Sequence, residues 1–155
     1  MSARSRRDFL RARQPDPQPR LPWAVENWTD HCTRCGDCIK ACEEAILVEA
    51  DGGFPAIDFS LGGCSQCGAC VSVCQSGVFE KTSVLWPQTL RITDQCLPKQ
   101  GVYCQSCRDG CEPQAISFLI DRSIPQPIID PEKCTACGMC ISTCPTQAFQ
   151  WSSSS

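Results

Sequence analysis

Apolar residues fall in short runs rather than in long periodic stretches. AILVEADGGFPAIDF, starting at Ala45, places apolar side chains on both sides of an Asp-Gly-Gly turn, the pattern of two short strands joined in a hairpin. AISFLIDRSIPQPIID, starting at Ala115, reads the same way, with proline breaking the turn. The longest charge-free stretch, Ser60 to Phe79, is twenty residues long but holds four Cys and four Gly, so it is no membrane-spanning helix. Each hairpin lies between two cysteine-rich segments. The unit this predicts has short strands outside and, twice within, a cysteine loop followed by a short helix.

Composition explains why the runs are short. The chain has 155 residues, 16 of them Cys. Without cysteine the apolar set is only about a third of the chain, too lean for a large hydrophobic core. Small domains of this kind need covalent or metal staples. The cysteines form four groups: Cys32, Cys35, Cys38 and Cys42; Cys64, Cys67, Cys70 and Cys74; Cys96, Cys104, Cys107 and Cys111; and Cys134, Cys137, Cys140 and Cys144. Successive groups begin 32, 32 and 38 residues apart, an internal repeat.

Three of the groups have the spacing C-x2-C-x2-C-x3-C, which in bacterial ferredoxins binds [4Fe–4S] clusters. A tight loop presents three thiolates to three irons, and the fourth Cys, a helical turn further on, reaches the cluster of the partner motif. Disulfides would give no reason to repeat one spacing, and zinc sites generally separate two C-x2-C pairs. The expected ligand sets are therefore Cys32, Cys35, Cys38 with Cys74; Cys64, Cys67, Cys70 with Cys42; Cys96, Cys104, Cys107 with Cys144; and Cys134, Cys137, Cys140 with Cys111. The third group departs from the pattern: Leu97 to Tyr103 stretches its first gap to seven residues. Cys96 either ligates from a longer loop or not at all, giving four clusters or three.

The fold expected is α+β, two tandem bacterial ferredoxin-like 2×[4Fe–4S] modules with short hairpins and short helices. Module 1 spans 23–81 and module 2 spans 96–151, joined by a linker at 82–95 and followed by a tail at 152–155. Trp86 is expected to pack between modules, and Trp23 and Trp28 to pack on the body or face a partner. Residues 1–22 carry six Arg against two Asp, so this Pro/Arg-rich arm has net charge +4 and the rest of the chain −7. The arm is expected to be disordered. An acidic body without a basic stripe excludes nucleic acid as a partner. Ser5-Arg6-Arg7-Asp8-Phe9-Leu10 resembles a twin-arginine export motif, but ARQPDPQPRLP follows it where a signal needs an apolar run. The chain is thus read as cytoplasmic. His31 is the sole histidine, and no nucleotide loop or nucleophile elbow is present. Electron movement or service to another redox protein fits this inventory; independent catalysis does not.

The Ser5-Arg6-Arg7 start, Pro22-Trp23, His31-Cys32-Thr33-Arg34-Cys35, Ala41-Cys42-Glu43, the stretched third group through Cys111-Glu112-Pro113 and the closing Cys134-x2-Cys137-Gly138 together resemble the NapF-type ferredoxin-like accessory proteins of periplasmic nitrate reductase systems. The resemblance implies a cytoplasmic iron–sulfur protein that binds the catalytic molybdopterin subunit of the reductase before export and assists its maturation by cluster insertion or reduction. It also carries the cluster ligands onto the cysteines above. The competing expectation is a polyferredoxin electron-transfer subunit feeding another redox enzyme.

Overall fold

The computed structural model describes residues 19–81, 86, 89–120 and 123–152. The twin-arginine-like start, most of the arm, part of the linker and the end of the tail lie outside the described residues. The remainder is α+β, built from very short elements. In chain order these are α1 (Trp28–His31), α2 (Asp37–Lys40), β1 (Leu47–Glu49), β2 (Pro55–Ile57), α3 (Ala69–Val73), β3 (Thr89–Ile92), α4 (Ser106–Asp109), β4 (Ile116–Leu119), β5 (Gln126–Ile129), α5 (Met139–Ser142) and β6 (Phe149–Ser152). Helices of four or five residues do not persist alone in water, so tertiary contacts and the cysteine loops must hold them.

Both hairpins form where the apolar runs predict them. β1 pairs antiparallel with β2, Leu47 opposite Ile57, and β4 with β5, Ile116 opposite Ile129. The first turn works because Gly52 and Gly53 adopt positive φ, 74° and 78°, where a side chain would be strained.

A third sheet was not legible in the spacing of cysteines. β3 pairs antiparallel with β6, Leu90 opposite Trp151 and Ile92 opposite Phe149. Thr89–Ile92 lies inside the segment expected to be linker, and Ser152 inside the expected tail. In the N-terminal half, an isolated antiparallel bridge joins Ala24 to Phe79. The Val25 N–H donates to the Val78 carbonyl at 3.0 Å, and the Glu80 N–H to the Trp23 carbonyl at 2.9 Å. The two ends of each half thereby meet, through β3 and β6 in the C-terminal half and through a single bridge in the N-terminal half, with a hairpin between.

The core runs through both halves as one apolar cluster that includes Leu21, Ile46, Phe59, Val78, Trp86, Ile116 and Trp151. Leu21 and Pro22, expected to belong to the arm, pack on the body: Leu21 is 2% exposed, and Pro22 and Trp23 are buried. Two apolar side chains flanking Pro22 give that segment enough surface to bury, which its Arg-rich beginning lacks. Trp86 lies between the halves as expected. Its ring is 5.8 Å from Phe59 and 6.0 Å from Trp151, and Phe59 stacks on Trp151 at 5.4 Å. Its indole N–H donates to the Arg20 carbonyl at 2.6 Å, so the polar edge is satisfied inside the core. Trp28 packs edge-on against Phe54, and the Arg34 guanidinium lies 4.3 Å from the Phe54 ring centroid. Lys81 lies over Trp23 at 5.5 Å. Both tryptophans therefore pack on the body.

Candidate iron–sulfur centres

All 16 cysteines are free thiols. Their positions follow from a backbone program that recurs along the chain. In groups one, two and four, the residue before the second Cys has a left-handed conformation: Arg34 at φ 58°, Gln66 at 60° and Ala136 at 55°. The residue after it is Gly36, Gly68 or Gly138, again at positive φ, and a short helix starts there. Two left-handed residues, one on each side of the second Cys, make the loop turn sharply enough to point N–H groups inward, the concavity that holds anionic groups. The Gln66 N–H lies 3.4 Å from Cys64 Sγ in this way.

After the fourth Cys a second device recurs in all four groups. The residue three positions on has positive φ: Ala45 (53°), Gly77 (72°), Gln114 (52°) and Gln147 (50°). The next residue is then driven into the core: Ile46, Val78, Ala115 and Ala148 are each at most 2% exposed. In the C-terminal half the same turn aims an N–H back at the thiol, from Ala115 to Cys111 Sγ and from Ala148 to Cys144 Sγ, both at 3.3 Å.

The turn sends each fourth Cys away from its own group. Cys38 has Cys32, Cys35 and Cys74 as electrostatic neighbours; Cys64 has Cys42 and Cys67; Cys107 has Cys96, Cys104 and Cys144; and Cys134 has Cys137 and Cys111. These neighbours fall within the crossed sets expected from the spacing, and three further approaches run between sets: Cys70 with Cys38, Cys64 with Cys137 and Cys140 with Cys107. Two of the sets surround apolar cavities. One is lined by Cys96, Cys104, Cys107 and Cys144 with Ile92, Leu97, Phe118 and Phe149 among its walls. The other holds Cys111, Cys134, Cys137 and Cys140 against Leu90, Ile116 and Ile129.

Cys96 is placed by a turn of its own. The residues inserted after it form a 3-10 turn, Leu97–Gln100, closed by Gly101 at φ 85°. The turn absorbs the added length and leaves Cys96 buried beside Cys104 and Cys144. Group three has no left-handed residue on either side of its second Cys, Cys104; Gln105 is at φ −135° and α4 starts directly.

Burial and neighbouring thiols oppose ionisation at seven of the cysteines. They push Cys70 and Cys107 up from 9.0 to about 11, in both cases with desolvation as the larger cause, and Cys140 higher still. Cys38, Cys64, Cys96 and Cys134 are also raised, chiefly by burial. At Cys74 burial acts in the same direction, but hydrogen bonds from the Ser76 hydroxyl and the Ser76, Val78 and Gly77 N–H groups outweigh it and lower the value. Four adjacent thiolates in an apolar wall need compensating positive charge. Iron supplies it, and an all-sulfur donor set suits iron–sulfur chemistry. Among the described residues no three Cys, His, Asp or Glu side chains converge tightly enough for a single metal ion. Thiols ranged around a cavity instead suit a polynuclear group. His31, exposed at the end of α1, belongs to no grouping.

Comparison with known proteins agrees with this donor chemistry. Residues 31–78 match a 4Fe-4S dicluster domain and residues 127–150 a 4Fe-4S binding domain. The stretched third group lies outside both matches. The chain is 42% identical over 134 residues to the ferredoxin-type protein NapF of Haemophilus influenzae, covering 84% of this chain and 76% of that one. It is 39% identical over 151 residues to the Escherichia coli protein of the same name, covering 94% and 92%. A more distant likeness, 35% over 128 residues, is to one subunit of an ion-translocating oxidoreductase complex from Methanosarcina acetivorans, covering 77% of this chain and 46% of that one. No helix among the described residues is long and apolar enough to cross a membrane. With four repeated cysteine groups, iron–sulfur domain matches and this identity along nearly its whole length, the chain belongs to the NapF family of ferredoxin-type iron–sulfur proteins.

Proposed function

We propose that this is a cytoplasmic iron–sulfur accessory protein that binds the catalytic molybdopterin subunit of a periplasmic nitrate reductase and assists its maturation before export. The observation that carries the reading is the 39% identity to NapF across 94% of the chain. It spans 151 residues, far more than the 16 cysteines account for.

In this reading the chain is two tandem modules, 23–81 and 96–151, and each crossed thiol grouping holds one [4Fe–4S] cluster. Cys32, Cys35, Cys38 and Cys74 form the first set; Cys64, Cys67, Cys70 and Cys42 the second. Cys96, Cys104, Cys107 and Cys144 form the third, and Cys134, Cys137, Cys140 and Cys111 the fourth. The bound group supplies one-electron redox chemistry. The protein's share is to fix the four thiolates, to direct N–H groups at sulfur, and to exclude water with walls such as Phe118 and Phe149. Cys35 and Cys67 are exposed, which puts the solvent-facing edge of the first two sets within reach of a partner surface.

Pull-down of the tagged chain from cytoplasmic extract is expected to recover the reductase catalytic subunit before export. A strain lacking the protein is expected to make normal amounts of reductase polypeptide with little activity. A fully active reductase from that strain would remove the maturation role and favour a polyferredoxin that feeds electrons to another enzyme.

A further inference from the structure

The two halves do not merely share a core; they touch at two cysteine loops. The Cys64 N–H donates to the Cys137 carbonyl at 2.7 Å, a short and strong backbone bond between residues of different groupings. The approach depends on missing side chains. A Cβ on Gly63 would lie 2.9 Å from the Met139 backbone nitrogen and 3.0 Å from its Cα. A Cβ on Gly138 would collide with the Phe59 ring. Phe59 is itself fixed by stacking on Trp151 and by its edge contact with Trp86. Cys64 and Cys137 are also close enough to act on one another electrostatically. The neighbouring Gly62 has no such role, since a Cβ there would make an ordinary 3.6 Å contact with Ile46.

We propose that the contact between the Cys64 loop and the Cys137 loop is the electron-transfer junction between the two halves, with Gly63 and Gly138 as positioning residues. This rests on the reading that the second and fourth thiol sets each hold a cluster. Electron exchange between metal centres falls steeply with distance, and a peptide hydrogen bond directly joining two residues of the second and fourth sets is a short covalent and hydrogen-bonded route across the seam. The step is simple in balance: one electron, provided by an external low-potential one-electron reductant, leaves the reduced centre on one side and reduces the oxidised centre on the other. No bond is made or broken and no proton moves. The four sets then act as one conductor, not as two isolated pairs.

The test uses the full-length chain loaded anaerobically, with iron and sulfide content measured beside the low-temperature EPR spectrum of the fully reduced protein. The wild type is expected to show spin–spin interaction beyond that of two separate pairs. Gly63→Ala should keep its iron yet lose the interaction across the seam, together with hydrogen-exchange protection of the Cys64 amide. Phe59→Leu, which loosens the seam without a backbone clash, should lose part of it, and Gly62→Ala none. Spectra of Gly63→Ala and Phe59→Leu identical to wild type at full iron content would overturn the junction while leaving four clusters standing. Iron too low in the wild type to fill sets two and four would overturn the cluster reading and the junction with it.

Discussion

Group three and group four stand side by side in the C-terminal half, each supplying three thiols to one grouping and one to the other, yet they are built differently. Group four turns through two left-handed residues, Ala136 and Gly138, around Cys137. Group three replaces that loop with the 3-10 turn Leu97–Gln100 and an immediate helix. Both keep the left-handed residue three positions after the fourth Cys, the buried alanine after it, and an N–H to the fourth thiol at 3.3 Å. The turn after the fourth Cys is the invariant unit, because it must both seat an alanine in the core and send a thiol across to the other group. The loop ahead of it has only to converge three sulfurs, and more than one backbone path does so.

The largest effect expected from breaking this arrangement is common to both groups. Stripping the metal with a chelator should unfold the chain, since a thin apolar core leaves binding energy to act as folding energy. Circular dichroism and tryptophan fluorescence before and after anaerobic chelation check this, and an unchanged melting profile would contradict it. Next, Cys96→Ser should cost the third set one cluster or change its type while the other sets keep theirs. EPR with iron analysis reads the difference, and a spectrum and iron count equal to wild type would show that the long loop does not ligate.

Much of this was legible in the sequence, for identifiable reasons. Cysteine spacing constrains ligand geometry, so crossed groupings are the expectation it carries, and the Asp-Gly-Gly and proline turns marked both hairpins. β3 was hidden because Thr89–Ile92 is short and pairs with β6 some sixty residues away, as in Arg91 opposite Gln150. Its side chains reveal strand character only through that partner: the Arg91 guanidinium donates to Gln150 Oε1 at 2.7 Å. The burial of Leu21 was hidden by the arginines and prolines before it. The role of Gly63 has no sequence signal, because a glycine that admits a distant backbone looks like any loop glycine.

Smaller effects sharpen the contrast of loops. Gly138→Ala should destabilise by about 3 kcal/mol, combining left-handed strain with a collision against Phe59. Gly101→Ala, at φ 85° but facing open space, should cost about 1 kcal/mol. Denaturant melts of the loaded proteins measure both, and equal losses would mean that crowding at the seam is unimportant.

The smallest effect concerns pH. A raised thiol pKa means the folded chain holds its proton more tightly, and loading must expel it, so iron uptake should rise with pH. Cys140 is raised most and Cys74 is lowered. The fourth set should therefore load later than the first as pH climbs from about 7 to about 9, where thiols begin to ionise. Stepwise reconstitution followed by EPR checks the order; uptake independent of pH would contradict it.

The central claim is that all 16 cysteines work as four crossed sets of four, including the one reached through the long loop. Iron and acid-labile sulfide analysis of the anaerobically purified wild-type chain tests it most directly. Four clusters predict about sixteen irons and about sixteen sulfides per chain. A value of about twelve, with the third set empty, would contradict it.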